Sequence, residues 1–257
     1  MDRTHKKREI SCEIIMTNGF SRWASGFSGC DGGDIGSPEQ RATWVCGIEW
    51  GGGHDFNSLV ESIEEDVSSP PVGYEVWEHN LDYIFNWQVM KLLCAIDGGK
   101  VEEYKTFAEK VMPFVSGQKG YFKMNLYPIA FKNTSGEKWV NRFSEITGFE
   151  SKDEYVKWCK CNRLQKIRSW AKQYKPNTVI CLGKSYISDF VSSFLDESSE
   201  IFSEIIDEKE IKWAVNLDGT YVFVLPFMVN RNGLVKNVSI QKVGARIAEI
   251  KNQKNDS

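Results

Sequence analysis

The stretch Thr43-Trp-Val-Cys-Gly-Ile-Glu-Trp-Gly-Gly-Gly-His54 sends a strand-like apolar run straight into one carboxylate, Glu49, and then into three glycines. A charge at the end of a buried strand calls for a use, and glycines strip side chains from the next segment so that a ligand or backbone can come close. The chemistry open to such a carboxylate is activation of a water or stabilisation of a developing cation. A plainer reading also stands, in which Glu49 caps the next segment and Gly51 to Gly53 form an ordinary loop. Asn125 closes a second run, Phe122-Lys-Met-Asn-Leu-Tyr-Pro128. Its amide offers both a donor and an acceptor, which suits the hydrogen-bonding edge of a base, and an Asn just ahead of a proline also suits a turn. Asp31 and Asp34, within Gly29-Cys-Asp-Gly-Gly-Asp-Ile-Gly36, combine carboxylates with bare backbone, a pairing fit for sugar hydroxyls and equally for an unliganded loop. His54 is a candidate for proton transfer, or a loop histidine.

The elements that must position these groups follow from periodicity. Thr43 to Ile48, Tyr121 to Leu126, Thr178 to Leu182 and Tyr221 to Leu225 are continuous apolar runs of strand length. Between them, helical spacing is expected over Val76 to Ile96, Val101 to Val115, Ser185 to Leu195 and Ser239 to Ile250. A capping box, Ser151-Lys-Asp-Glu154, opens a helix expected to run to Pro176. Strands alternating with helices predict an α/β fold: three layers, α/β/α, around a central, mostly parallel four-stranded sheet. The expectation is a single domain over 1–257 with an N-terminal extension of about 40 residues. In an open parallel sheet, ligands sit beyond the carboxyl ends of the strands. There the sequence gathers Glu49, Asn125, Gly183-Lys184-Ser185, and Pro226-Phe-Met-Val-Asn230-Arg231.

Composition narrows the classes. With 257 residues, 41% of them hydrophobic, the chain can build one well-developed core. No run approaches a membrane span, and the start, Met-Asp-Arg-Thr-His-Lys-Lys-Arg-Glu, has no signal-peptide core, so a soluble, cytoplasmic protein is expected. The seven cysteines show no CxxC spacing, which speaks against a disulfide framework or a four-cysteine metal site. A net charge of −3 supplies no global basic field, so a nucleic-acid partner would need a local patch. Lys157, Lys160, Arg163, Lys166, Arg168, Lys172 and Lys175 offer either a phosphate-binding stripe or a solvated helix face balanced by the acidic tract Asp196 to Glu210. Neither GxxxxGK[ST] nor GxGxxG is present.

On these strand-end motifs the chain resembles the uracil-DNA glycosylase superfamily. Gly47-Ile-Glu49-Trp50-Gly51 stands where that family has its first motif, Phe122 to Pro128 resembles its base-reading strand end, and Val179-Ile-Cys-Leu-Gly-Lys184 is similar to its third strand. Leu225-Pro-Phe227-Met-Val-Asn230-Arg231 occupies the place of its second motif. The likeness runs in order over about residues 40 to 250. It implies a DNA glycosylase that hydrolyses the N-glycosidic bond of a flipped nucleotide and leaves an abasic site. DNA would be the partner, with no cofactor, metal, membrane or obligate protein partner. Glu49, Asn230 and Arg231 would be catalytic, and Asn125, Trp50, Gly51, Phe56 and Tyr127 would hold the base. Asp31, Asp34 and His54 would complete the pocket or meet a sugar. Two departures matter. Phe227 replaces the family's second-motif histidine, and Gly51 replaces the tyrosine that walls out 5-substituted pyrimidines. The open wall implies a larger base, such as glucosylated hydroxymethylcytosine, and with it anti-phage defence. The alternative is a non-catalytic nucleic-acid or nucleotide-binding protein on the same fold, with Phe227 marking lost catalysis.

Overall fold

The computed structural model describes residues 18–131, 139 and 142–253. The chain folds as mixed α/β around a seven-stranded sheet among the described residues, ordered β1-β3-β2-β4-β7-β6-β5. These strands are β1 (Cys30–Gly33), β2 (Thr43–Gly47), β3 (Tyr121–Asn125), β4 (Thr178–Leu182), β5 (Phe202–Ile206), β6 (Lys209–Val215) and β7 (Tyr221–Leu225). The four expected strands form the parallel centre, β3-β2-β4-β7, in register Gly47↔Asn125, Cys46↔Cys181 and Leu182↔Leu225. Their apolar runs are buried on both faces, as parallel strands between helices require.

Three antiparallel strands enlarge the expected four-stranded sheet. β1 pairs with β3, β6 with β7, and β5 with β6. β1 is Cys-Asp-Gly-Gly, a segment with no strand propensity of its own, held by its pairing with β3. The β5–β6 hairpin turns through Asp207 and Glu208, both at positive φ (49° and 63°), as a two-residue turn matched to strand twist requires. This hairpin lies in what reads along the chain as an acidic tract, because charged residues are interspersed among its apolar ones without a strict alternation.

Helices cover both faces. On one, α1 (Asn18–Ser25), α7 (Lys152–Cys161), α8 (Arg163–Tyr174) and α9 (Ile187–Phe194) pack on Trp44, Phe122, Cys181 and Val224. On the other, α4 (Ile84–Ile96), α5 (Tyr104–Val111) and α10 (Asn237–Asn252) pack on Val45, Ile180 and Phe223. Of the segment expected as an N-terminal extension, residues 1–17 lie outside the described residues, and the remainder contributes α1, whose Phe20 and Trp23 are core residues, and β1. No helix among the described residues is long and apolar enough to cross a membrane.

Two expected helices are broken. The Val76 to Ile96 pattern divides into α3 (Trp77–Asn80) and α4, with Tyr83 extended as the N-cap of α4. The capped helix opens as expected, Ser151 accepting from the Glu154 amide at 3.3 Å, but it ends at Cys161. Asn162 separates it from α8 as a distorted right-handed residue (φ −117°, ψ −59°) whose amide and Nδ2 both donate to the Trp158 carbonyl, at 2.9 and 3.0 Å. α2 (Phe56–Glu64) begins with a capping box between Asp55 and Ser58, and the short α6 (Phe143–Thr147) ends at Gly148, which takes a positive φ of 80°.

Four of the seven residues of the basic stripe are engaged within the protein. Arg163 is fully buried and donates to the carbonyls of Ala24, Gly26, Ser28, Asn125 and Leu126. Arg168 holds the carbonyls of Ser192 and Leu195 and pairs with Asp196 at 3.2 Å, so the acidic tract does balance part of the stripe. Lys160 pairs with Asp189 at 3.0 Å and Lys175 with Asp218 at 2.9 Å. Arg163 reads along the chain as one of the basic stripe, yet it stands at helical spacing from the buried Ile167 and Trp170 of α8.

Candidate functional site

A cavity of about 680 Å³ opens beyond the carboxyl ends of β2 and β3, on the α4 side of the sheet. Strand alternation fixes which residues face it. On β3, Lys123 and Asn125 point away from Phe122 and Met124, and Gly47 is the register partner of Asn125 on β2. Gly47 has to lack a side chain, since a Cβ there would run into Asn125 Oδ1. The Asn125 Nδ2 donates to the Gly29 carbonyl at 3.1 Å, and Arg163 holds the Asn125 carbonyl from behind at 3.3 Å. The amide is therefore fixed in orientation on the cavity wall.

Glu49 lines the same cavity two residues past β2. Desolvation pushes its carboxyl up from 4.5 to about 7, against the opposing pull of the Lys152 charge and the Phe131 backbone amide. A carboxylate tuned to neutral pH is suited to take and return a proton there. Trp50 lies at the rim, its Nε1 donating to Asp31 Oδ2 at 3.2 Å, and Gly51 and Gly52 complete that side. No atom lies within 4 Å of where a Gly51 Cβ would stand, so this wall is open.

Through Asp31, this side adjoins a polar network. Lys123 Nζ donates to Asp31 Oδ1 at 2.9 Å and to Asn86 Oδ1 at 2.7 Å. The Tyr74 hydroxyl donates to Asp31 Oδ1 at 2.9 Å and accepts from Asn86 Nδ2 at 2.9 Å. Burial, reinforced by the Asp31 charge, pushes the Tyr74 hydroxyl up, so it stays protonated. The remaining lining is apolar. Phe85 and Phe227 face each other with ring centroids 5.6 Å apart, and Tyr83, Ile84 and Val229 form an exposed lip.

The structure thus brings Glu49, Trp50, Gly51, Asn125 and Asp31 to one cavity and leaves six other candidates out of its lining. Asp34 accepts from the amides of Gly120 (2.7 Å) and Gly36 (3.2 Å) and clamps a loop. His54 Nδ1 accepts from the Ala130 amide at 2.8 Å, and burial lowers its pKa, so the ring is a neutral loop clip. Phe56 lies under the Arg142 guanidinium at 3.6 Å. Tyr127 is a core residue whose hydroxyl donates to Asp189 at 2.8 Å. Asn230 and Arg231 are exposed on the loop beyond Val229.

Reading the sequence missed Tyr74, Asn86, Phe85 and Lys123. For Lys123 a signal existed, since a lysine inside an apolar strand two residues before Asn125 must share its face. Tyr74 and Asn86 carried none, because a loop and a helix deliver them. The chain matches no family model and no curated protein.

Proposed function

We propose that this chain is a DNA glycosylase that hydrolyses the base–deoxyribose bond of a flipped, 5-modified cytosine and leaves an abasic site. What carries the reading is Glu49, a carboxylate held near neutral pKa in a cavity whose facing strand end presents an oriented side-chain amide, Asn125. A base within stacked DNA is out of reach, so the nucleotide enters such a cavity flipped. Glu49 then activates the attacking water or stabilises the oxocarbenium-like sugar, and Asn125 meets the base edge. The open side at Gly51 leaves room for a substituent on C5, and Asp31, Lys123, Tyr74 and Asn86 supply donors and acceptors for a polar one. Lys123 is the cation in the lining and the group placed to meet charge on the leaving base. Arg231, outside, is suited to a flanking phosphate. No step calls for a metal or cofactor, and anti-phage defence is the setting the sequence resemblance implies.

A second reading rests on Phe227. It fills the place of the family's histidine with a ring that cannot donate, and Asn230 does not line the cavity in its stead. A protein that binds a flipped base or a nucleotide without cleaving it would tolerate that change. Alkali-induced strand cleavage separates the two, on duplexes carrying uracil, hydroxymethylcytosine or glucosylated hydroxymethylcytosine. Abasic product from wild type and none from Glu49→Gln supports the enzyme. Tight binding with no product from any duplex defeats it in favour of the binding protein.

A further inference from the structure

Lys152 sits where physical chemistry disfavours a lysine. It is the first residue of α7, at the helix end whose partial charge is already positive. It is only 7% exposed, and its Nζ has no hydrogen-bond acceptor among the described residues. Lysines are almost never buried without a partner, because an ammonium taken from water costs several kcal/mol. What holds this one is the face of Phe131, whose ring centroid lies 3.7 Å from Nζ. The same Phe131 presents its backbone amide to Glu49. Lys152 is absent from the cavity lining while Glu49 is part of it, so the Lys152 charge acts on the carboxylate from outside the cavity. The charges that bear on Lys152 are Glu49 and its chain neighbour Asp153.

We propose that Lys152 is the positioning residue for Glu49: a buried cation, seated on Phe131 outside the cavity, whose charge draws the carboxyl toward its ionised form. The proposal rests on the glycosylase reading for its purpose, since a desolvated carboxylate would otherwise stay protonated and could neither activate water nor stabilise a sugar cation. A lysine suits this better than a direct ion pair in the cavity, because it supplies field without occupying the space of the water or the sugar.

The test needs no substrate. In protein labelled with ¹³C at glutamate side chains, with Glu49→Gln for assignment, the Glu49 carboxyl is titrated in wild type, Lys152→Met and Lys152→Arg. Methionine keeps the stem on Phe131 and removes the charge. The expected result is a midpoint raised by about one pH unit or more in Lys152→Met and returned toward wild type in Lys152→Arg. An unmoved midpoint overturns the proposal. Should Lys152→Met fail to fold, the reciprocal measurement decides. The Lys152 ammonium, followed by ¹⁵N, should titrate at lower pH in Glu49→Gln than in wild type, and an unchanged value overturns the proposal. With a cleavable duplex, Lys152→Met should shift the acid limb of the kcat profile upward by the same amount with KM unchanged. A loss that is uniform across pH would mark a merely structural role. If wild type cleaves no duplex, the glycosylase reading falls while the carboxyl titration still settles the role of Lys152.

Discussion

Replacing Glu49 with glutamine should change how stability depends on pH, whatever the substrate proves to be. In the native state burial raises the carboxyl from 4.5 to about 7, so the folded protein holds this proton more tightly than the unfolded chain does. A group whose folded pKa is raised contributes stability that is complete below the unfolded value and is lost as pH climbs through the folded one. For Glu49 that window runs from 4.5 to about 7. Each pH unit across it is worth ~1.4 kcal/mol, which sets a ceiling of about 3 kcal/mol, and residual solvent access brings the expectation to about 2 kcal/mol. Glutamine mimics the protonated acid and cannot ionise. Urea unfolding at about pH 5 and about pH 8 should therefore show wild type losing about 2 kcal/mol more than Glu49→Gln between the two. Other titrating groups are common to both proteins and largely cancel in the comparison. Parallel losses would mean that Glu49 is solvated in the native state, and the case for it as a neutral-pH base would go with that result.

Three further outcomes are expected. Gly51→Tyr meets no atom within 4 Å at its Cβ, so it should fold like wild type yet lose action on bulky 5-substituted bases. An unchanged cleavage rate on glucosylated hydroxymethylcytosine duplexes would refute the open wall. Gly47→Ala drives a methyl into Asn125 Oδ1 and should cost ~1–3 kcal/mol by chemical denaturation, with loss of cleavage beyond what that instability explains. Asp31→Ala strips the carboxylate from Lys123, in a pair whose side chains are 7% and 13% exposed. It should cost ~3–5 kcal/mol, and Asp31→Ala with Lys123→Met should recover part of that, since an unpaired buried charge is worse than none.

Much of the scaffold was legible in the chain because its signals are local. The four parallel strands are unbroken apolar runs, and a strand buried on both faces needs no partner to announce itself. Ser151-Lys-Asp-Glu154 marked a helix start correctly, since capping is settled within one turn. The strands that escaped are those whose pairing does the work. β1 is half glycine, and β5, at the edge of the sheet, and β6 beside it mix charged with apolar residues without a strict alternation. The helix break at Asn162 escaped for a different reason: it is a distortion of one residue, φ −117°, inside a periodicity that runs through it.

The site divides along the same line. That Glu49, Asn125 and Gly51 belong together came from a rule about strand ends, which holds wherever strands are parallel. That Asp34, His54, Phe56 and Tyr127 do not line the cavity was invisible, because each is claimed by a partner distant in sequence: Gly120, Ala130, Arg142 and Asp189. The residue types at the strand ends and the succession of the four strands along the chain follow from local signals alone. Three-dimensional packing sets which of these residues share one cavity, brings Lys123, Tyr74 and Asn86 to Asp31 there, and puts the charge of a lysine from a distant helix within reach of Glu49. Those outcomes turn on burial and on the orientation of side chains, which are properties of packed neighbours and not of spacing along a chain.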